Sequence, residues 1–167
     1  MLRTLQCPVI ALEEHYWDKE LAASFVGVEG VRDPEILKRL YDLGELRLRE
    51  MDEAGIDVQI LSHGAPSAQK LTGADAVDLT RRANDRLHAV VTANPKRFAA
   101  FAALPTSDPK AAADELERTT KLGFKGAMIH GLANGVFIDD SGSGRSSSGR
   151  RRSTCLSTCI LRSRCRR

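Results

Sequence analysis

Four short apolar runs, separated by segments with helical spacing, most limit what this chain of 167 residues can fold into. We predict strands in the apolar runs 7–15, 57–64, 98–105 and 124–131. We predict helices in the intervening segments 33–56, 74–95 and 108–124. The first and third helical segments open with Asp-Pro, which supplies a capping carboxylate and a residue suited to the first turn. Strands that alternate with helices predict a parallel sheet and an α/β fold.

The apolar runs are continuous and do not alternate with polar residues, which is typical of parallel strands that are covered on both faces. Strand–helix units in this number are enough for a small open sheet. They also match the N-terminal half of a (β/α)8 barrel, which usually needs about 250 residues. The pattern alone leaves both arrangements open.

The segment 141–167 has a different composition from the rest of the chain. It contains eight Arg, no Lys and no acidic residue, together with three of the four Cys. Removing these eight arginines from the 25 Lys and Arg residues leaves 17 basic residues against 22 acidic ones, so the body is mildly acidic. We therefore predict two regions, a folded body at 1–140 and a disordered, low-complexity Ser/Arg/Cys tail at 141–167.

Three interpretations of the tail compete. A Ser/Arg arm can bind nucleic acid electrostatically, but the acidic body offers no matching surface, and we expect no nucleic-acid partner. Cys155, Cys159 and Cys165 match no standard zinc spacing and have no fourth ligand after them. We favour the third interpretation, an out-of-frame translation. Codons permitted for the tail, read from their third base, encode an amphipathic helix followed by a strand that ends in His-x-His.

The rest of the sequence argues against several classes of protein. No run approaches the ~20 apolar residues of a membrane span, and the N-terminus lacks a signal-length apolar core. The single cysteine of the body, Cys7, suits a reducing compartment. The glycines fit neither P-loop nor dinucleotide-binding spacing. We expect a soluble, cytoplasmic body with no membrane partner.

Polar residues at the predicted strand ends are the candidates for chemistry, because parallel α/β folds bind ligands at the carboxyl ends of their strands. Glu13 and His15 stand at positions i and i+2, which share a face in a regular strand. A carboxylate beside an imidazole can hold a divalent metal, although a solvated strand end with an incidental histidine gives the same pattern. His63 and His130 lie at the ends of other predicted strands, and Trp17 lies just after the first; all three suit packing as well as a substrate pocket.

Four stretches of the sequence together resemble one family. The stretches "VIALEEHYW", "MDEAGIDVQILSHGAP", "ANDRLHAVVTANPKRFAAFAALPTSDPKAAADELER" and "LGFKGAMIHG" are similar to the amidohydrolase-related family. Within it they are most similar to the branch of 2,3-dihydroxybenzoate and γ-resorcylate decarboxylases. The resemblance runs from about residue 9 to residue 140. It implies the N-terminal half, about four βα units, of a metal-dependent (β/α)8 TIM barrel that binds zinc or manganese at the carboxyl ends of its strands.

The resemblance also implies roles for particular residues. In the decarboxylase branch the metal motif of the first strand is Glu-x-His, which assigns Glu13 and His15 as metal ligands. The implied reaction is non-oxidative loss of CO2 from a hydroxylated aromatic carboxylic acid, in full-length relatives that are homo-oligomers. The family's other ligands and its acid–base residues lie on later strands, beyond the resemblance. We therefore expect no retained catalytic residue and an inactive chain.

Two other functions stay open. A hydrolase of the same superfamily would use a metal-activated water on a lactone or an amide, and Glu-x-His in place of His-x-His is only a weak argument against it. A nucleic-acid-associated protein acting through the basic tail is the other alternative. It predicts binding that weakens steeply with salt and is lost when residues 141–167 are deleted.

Overall fold

The computed structural model describes residues 7–25 and 27–130, apart from the side chains of Glu13, Val28 and Glu29. The strands are β1 (Ile10–Tyr16), β2 (Val58–His63), β3 (Phe98–Ala102) and β4 (Gly126–Ala127). The α-helices are α1 (Lys19–Ala22), α2 (Pro34–Tyr41), α3 (Glu45–Ala54), α4 (Ala74–Ala93) and α5 (Pro109–Lys121). Short 3-10 helices lie at Gly27–Gly30 and Ser67–Lys70. The predicted tail and its boundary at residue 140 lie outside the described residues.

The four described strands form one parallel sheet in the order β1-β2-β3-β4. This confirms the predicted α/β fold. A doubly wound open sheet reverses its strand order at a switch point, whereas a (β/α)8 barrel adds each strand beside the preceding one. The sequential order here is therefore that of a half barrel. β1 lies at an edge of this sheet, where Ile10 is 51% exposed and Leu12 40% exposed.

The main core lies between the sheet and the helices that cross over it. Buried residues of β2, β3, the helices and the segment before β4 pack together there: Met51, Leu61, Leu87, Phe98, Ala100, Ala102, Ala112, Leu116 and Phe124. β2 is buried from its second residue onward, and β3 is buried at all but one position. The apolar runs of β2 and β3 are thus buried on both faces at nearly every position, as the pattern predicted, whereas β1 at the edge exposes Ile10 and Leu12.

Helix α4 is the longest described helix, with 20 residues. Its buried Asn84 fixes the helix to the end of β3, because its side-chain amide donates to the Ala103 oxygen at 2.9 Å and accepts the Ala103 amide at 3.0 Å. Within the ranges 7–25 and 27–130, neither α4 nor any other helix combines the length and the apolar character needed to span a membrane.

The predicted single helix at 33–56 is wrong, because this segment forms the two helices α2 and α3. The break falls at Asp42, whose carboxylate accepts the amides of Gly44 at 3.0 Å and Arg47 at 3.1 Å. These hydrogen bonds satisfy amide donors that would otherwise lack partners at the start of a helix. A new helix can therefore begin where the apolar spacing indicated a continuous one.

Candidate metal centre

The ends of β1, β2 and β4 bring three of the predicted site residues close together. The rings of His15 and His130 meet edge to face, with their centroids 5.4 Å apart. Nδ1 of His15 lies 3.0 Å from the hydroxyl oxygen of Ser62. Nε2 of His130 lies 2.8 Å from the main-chain oxygen of His63. The polar strand ends that the sequence indicated are therefore adjacent in space.

His15 and His63 nevertheless lie on opposite faces of the sheet. In the register of β1 against β2, His15 stands beside Ser62 and Tyr16 stands beside His63. Neighbouring residues of a strand point to opposite faces, so one residue of offset separates the two histidines. The face of His63 also carries Gln59, which is bonded from helix α3. His15 therefore lies on the inner face of the half barrel, away from α3.

Glu13 lies in β1, but its side chain lies outside the described part of the structure. The strand is irregular here, because two residues lie between Ala11 and Glu14 while only one lies between their partners in β2. Such a bulge re-aims side chains, often next to a functional site. The expectation that Glu13 and His15 share a face assumed a regular strand, so a joint role for them stays a proposal.

His63 is 1% exposed, and both nitrogens of its ring have partners. The Asp18 amide donates to Nε2 at 3.0 Å, so the Nδ1–H must donate to the Gly64 oxygen at 2.9 Å. Burial lowers the pKa of His63 to about 4, and outweighs the opposing effects of the Gly64 carbonyl and the Asp18 carboxylate. These contacts make His63 a neutral residue that joins the end of β2 to the start of α1.

The Asp18 carboxylate connects this buried histidine to helix α4. It accepts two hydrogen bonds from Arg86, both at 2.7 Å, and one from the Leu21 amide at 3.0 Å. Burial of the carboxylate raises its pKa, but the bonds from Arg86 and the Leu21 amide together outweigh burial, and the pKa of Asp18 falls below its ordinary value. Asp18 therefore stays ionised and caps α1.

His130 is held through its main chain by Gln69, which lies in the loop after β2. The His130 amide donates to Oε1 of Gln69, and Nε2 of Gln69 donates to the His130 oxygen at 3.3 Å. Gln69 is 2% exposed, so this pair of hydrogen bonds is shielded from water. Because a carbonyl oxygen only accepts, Nε2–H of His130 donates to His63, and Nδ1 of the neutral ring keeps the lone pair.

Trp17 is buried, and its described contacts are packing contacts. Its ring meets Phe25 and Tyr41 edge to face, with centroids 5.3 and 6.3 Å away, and the Arg32 guanidinium lies 5.0 Å from its centroid. Gly64 permits this position, because a Cβ there would lie 3.0 Å from Trp17 Nε1. Trp17 thus fixes the chain after β1, and a role in a substrate pocket stays a proposal.

Sequence reasoning missed a polar network on the helix-facing side of β1. Arg47 of α3 donates to Gln59 Oε1 at 3.1 Å, and Gln59 Nε2 donates to Glu14 Oε2 at 3.1 Å. These residues line a pocket of about 230 Å³ between the two strands and helices α2 and α3. The available signal was Gln59 itself, a polar residue inside the apolar run 57–64, because a buried amide needs hydrogen-bond partners.

The chemistry at the end of β1 fits part of a metal site. In the tautomer in which Nδ1–H of His15 donates to Ser62, Nε2 is the nitrogen with the lone pair that binds a cation. The hydroxyl of Thr106, after β3, is buried without a hydrogen-bond partner among the described residues. Among the described side chains, no group of three or more His, Cys, Asp and Glu is placed to hold a metal ion. A complete ligand set would therefore need donors from outside them.

Comparisons with known proteins agree with this geometry. The family model described as amidohydrolase matches residues 13–151, eleven residues beyond the predicted boundary at 140. The chain is 44% identical over 133 residues to the γ-resorcylate decarboxylase of Rhodococcus jostii, an alignment that covers 78% of this chain and 40% of that protein. The chain thus spans about two fifths of the length of the curated relatives that it matches.

Two solved structures show what such a half barrel resembles. One is a dihydroxybenzoic acid decarboxylase from a Polaromonas species with bound manganese and the inhibitor 2-nitroresorcinol. It is 39% identical to this chain with a TM-score of 0.76, and the match covers 87% of this chain and 46% of that one. The other is 5-carboxyvanillate decarboxylase from Novosphingobium aromaticivorans complexed with manganese and 4-hydroxy-3-methoxy-5-nitrobenzoic acid, at 30% identity and a TM-score of 0.81 over 88% and 48%. Because the family model matches well over half of the chain, the chain belongs to the amidohydrolase family.

Proposed function

We propose that this chain carries the first half of a metal-dependent decarboxylase that acts on hydroxylated aromatic carboxylic acids. The observation that carries the proposal is the placement of His15, the last residue of a Glu-x-His motif, on the inner face at the end of β1. The similarity to two aromatic-acid decarboxylases of known structure supports the same reaction class. Loss of CO2 without an oxidant is then the reaction to test.

Glu13 and His15 are the residues that would hold the metal. We propose manganese in preference to zinc, because both similar structures contain manganese. When bound, the cation would supply positive charge that stabilises the anionic oxygens of the substrate as CO2 leaves. Ser62 would keep the His15 ring in one orientation through the contact at Nδ1, as partners of metal-binding histidines commonly do.

His130 is our candidate for a residue that contacts the substrate. Its ring meets the His15 ring on the inner face, and its main chain is held on both sides by Gln69. An aromatic acid held at His15 would therefore lie against a ring whose position is fixed. When Nε2–H donates to the His63 oxygen and Nδ1 carries no proton, Nδ1 can accept a hydrogen bond from a phenol hydroxyl of the substrate.

Within its described residues the chain has no group of three or more His, Cys, Asp and Glu side chains that could hold a metal ion. We expect no turnover by the 167-residue chain, because the acid–base groups of the family follow the fourth strand. We also expect poor solubility, since β1 lies at an edge of the sheet and exposes the side chains of Ile10 and Leu12, and sheet edges can pair with other chains. Stoichiometric metal binding with decarboxylase activity by this chain would contradict both expectations.

We further propose that the tail 141–167 is translated out of frame. The test is to determine the encoding DNA from codon 140 onward. We expect the alternative frame to continue into further strand–helix units with a His-x-His at the end of the next strand. An alternative frame that stops, or that lacks this pattern, would contradict the proposal.

The activity test uses the gene with that frame restored, loaded with Mn2+. We expect CO2 release from dihydroxybenzoates, and we expect Glu13→Gln and His15→Gln to abolish it. The matched control is Glu14→Gln, which changes a neighbouring carboxylate that faces Gln59. Hydrolysis of lactones without CO2 release would instead support the hydrolase of the same superfamily.

A further inference from the structure

The end of β1 is held in place from the side opposite to His15. Arg47, on helix α3, reaches the strand with its guanidinium, which makes four hydrogen bonds. Nη2 donates to the main-chain oxygen of His15 at 3.0 Å and to that of Arg39 at 2.9 Å. Nε donates to the Asp42 oxygen at 2.9 Å, and Nη1 donates to the Gln59 side chain at 3.1 Å. One side chain thus joins β1, β2 and the end of α2.

Gln59 extends this contact to the residue between the two proposed metal ligands. Its side-chain nitrogen donates to the Glu14 carboxylate at 3.1 Å while its oxygen accepts from Arg47. Glu14 is therefore bonded through its side chain and His15 through its main-chain oxygen, both towards α3. These hydrogen bonds hold β1 on its helix-facing side at both positions. Because neighbouring side chains of a strand alternate between faces, the side chain of His15 then projects from the inner face.

These four hydrogen bonds require an arginine at position 47. A guanidinium carries five N–H donors in a rigid plane, so it can bridge acceptors on three elements at once, which a lysine ammonium cannot do with the same geometry. Arg47 is only 9% exposed, and a buried charge is tolerated when it is fully hydrogen-bonded. Removal of the guanidinium would leave the oxygens of His15, Arg39 and Asp42 without this donor.

We propose that Arg47, relayed by Gln59, is the positioning residue that orients His15 at the inner face of the half barrel. The value of this orientation for metal binding rests on the proposed function, whereas the orientation itself does not. Arg47 touches neither substrate nor metal in this account, and it acts only through the strand that carries the ligands. Supporting contacts of this kind commonly change metal affinity about 10- to 100-fold when they are lost.

The test uses the full 167-residue chain labelled with 15N and free of metal. Three variants are compared with the unmodified chain: Arg47→Met, Arg47→Lys and Arg39→Met. Arg39 is the matched control, because it lines the same pocket but binds Glu50 through a half-exposed side chain. The readouts are the 15N shifts of the His15 ring and the hydrogen exchange of the amides at the end of β1. Urea unfolding of each variant measures global stability.

For Arg47→Met we expect the two 15N shifts of the His15 ring to converge, as in an imidazole that exchanges between its two tautomers once the contact with Ser62 is lost. We expect amide exchange at the end of β1 to rise about tenfold or more, while amides in the middle of β2 change little. Arg47→Lys should lie in between, and Arg39→Met should match the unmodified chain. If Arg47→Met does not fold, Arg47→Lys with the same two readouts decides the proposal.

Unchanged His15 shifts in a folded Arg47→Met chain would overturn the proposal, as would equal changes in Arg39→Met. A uniform rise of exchange across β1, β2 and β3 would also overturn it, because Arg47 would then only stabilise the fold. A parallel Mn2+ titration separates this inference from the proposed function. If Arg47→Met disturbs His15 but the protein with the restored frame binds no Mn2+, positioning is supported and the metal proposal fails.

Discussion

The ends of β1 and β2 each carry a histidine, yet the two histidines have different surroundings. His15 lies on the inner face beside Ser62 and the ring of His130. His63 lies on the helix-facing side, where it is buried between the Asp18 amide and the Gly64 oxygen. Both residues stand at or next to the end of an apolar run in the sequence. The difference arises because the register of the two strands offsets the histidines by one residue.

This contrast teaches that a histidine at a strand end becomes a candidate metal ligand only if the strand register places its side chain on the inner face of the half barrel. A histidine on the side of the helices has to be buried, and its nitrogens then need protein partners. In His63 both ring nitrogens have such partners. The predictions below test whether β1 and β2 differ in this way, from the largest expected effect to the smallest.

The first prediction compares truncation of the two histidines. His63→Ala should cost about 3 to 4 kcal/mol of unfolding free energy, because it leaves a cavity and an unpaired Asp18 amide. His15→Ala should cost less than about 1 kcal/mol, because its ring lies on the inner face of the half barrel. Urea unfolding monitored by circular dichroism measures both. Equal costs would remove the distinction between the two strand ends.

The second prediction concerns pH. The unfolded chain binds a proton at His63 with an ordinary pKa near 6.5, whereas the folded chain binds it only near pH 4. Between these two pH values the unfolded state therefore binds more protons than the folded state. The contribution of the neutral His63 ring to the unfolding free energy is complete above pH 6.5 and is lost as the pH falls to about 4. The loss should be no more than about 3 kcal/mol.

The control for the pH experiment is His63→Asn, which removes the titrating group. Its unfolding free energy should vary much less across the same window. Asp18 does not confuse the result, because its pKa lies below the ordinary value of 3.8 and it titrates under the window. If the unmodified chain and His63→Asn show the same pH dependence, the buried neutral histidine is not its source.

The third prediction concerns the link from β2 to β4. Gln69→Leu should cost about 1 to 2 kcal/mol, because it removes both hydrogen bonds to the His130 main chain. Gln69→Glu should cost less if the remaining carboxylate oxygen still accepts the His130 amide. Hydrogen exchange of the His130 amide is the measurement, with Leu61 in the middle of β2 as the reference. No change at His130 would show that the loop after β2 does not hold the end of β4.

The sequence was sufficient for the fold because the fold depends on repeated local signals. Apolar runs and Asp-Pro helix starts recur along the chain, and Asp33 and Asp108 do cap α2 and α5. The break between α2 and α3 was missed because it depends on one carboxylate, Asp42, whose capping bonds no apolar periodicity reveals. Helix propensity and apolar spacing predict that a helix forms, whereas the residue at which it begins or ends can depend on a single capping contact.

The candidate site was only partly predictable. His15 was selected by its motif, but the faces of His15 and His63 follow from the strand register, which sequence spacing does not contain. The bulge between Ala11 and Glu14 is a further departure that the i/i+2 rule could not anticipate. Arg47 and Gln69 were missed because long-range hydrogen bonds give them their roles, and nothing in their local sequence marks them.

The central claim is that the end of β1 is the metal-binding end. The most direct measurement is a Mn2+ titration of the protein with the restored frame, followed by water-proton relaxation, with Glu13→Gln, His15→Gln and Glu14→Gln compared. We predict that the first two variants lose at least about tenfold in affinity. Glu14→Gln should stay within about twofold, because its side chain keeps an oxygen that can accept the hydrogen bond from Gln59. Equal affinities for all three variants, or a loss confined to Glu14→Gln, would contradict the account.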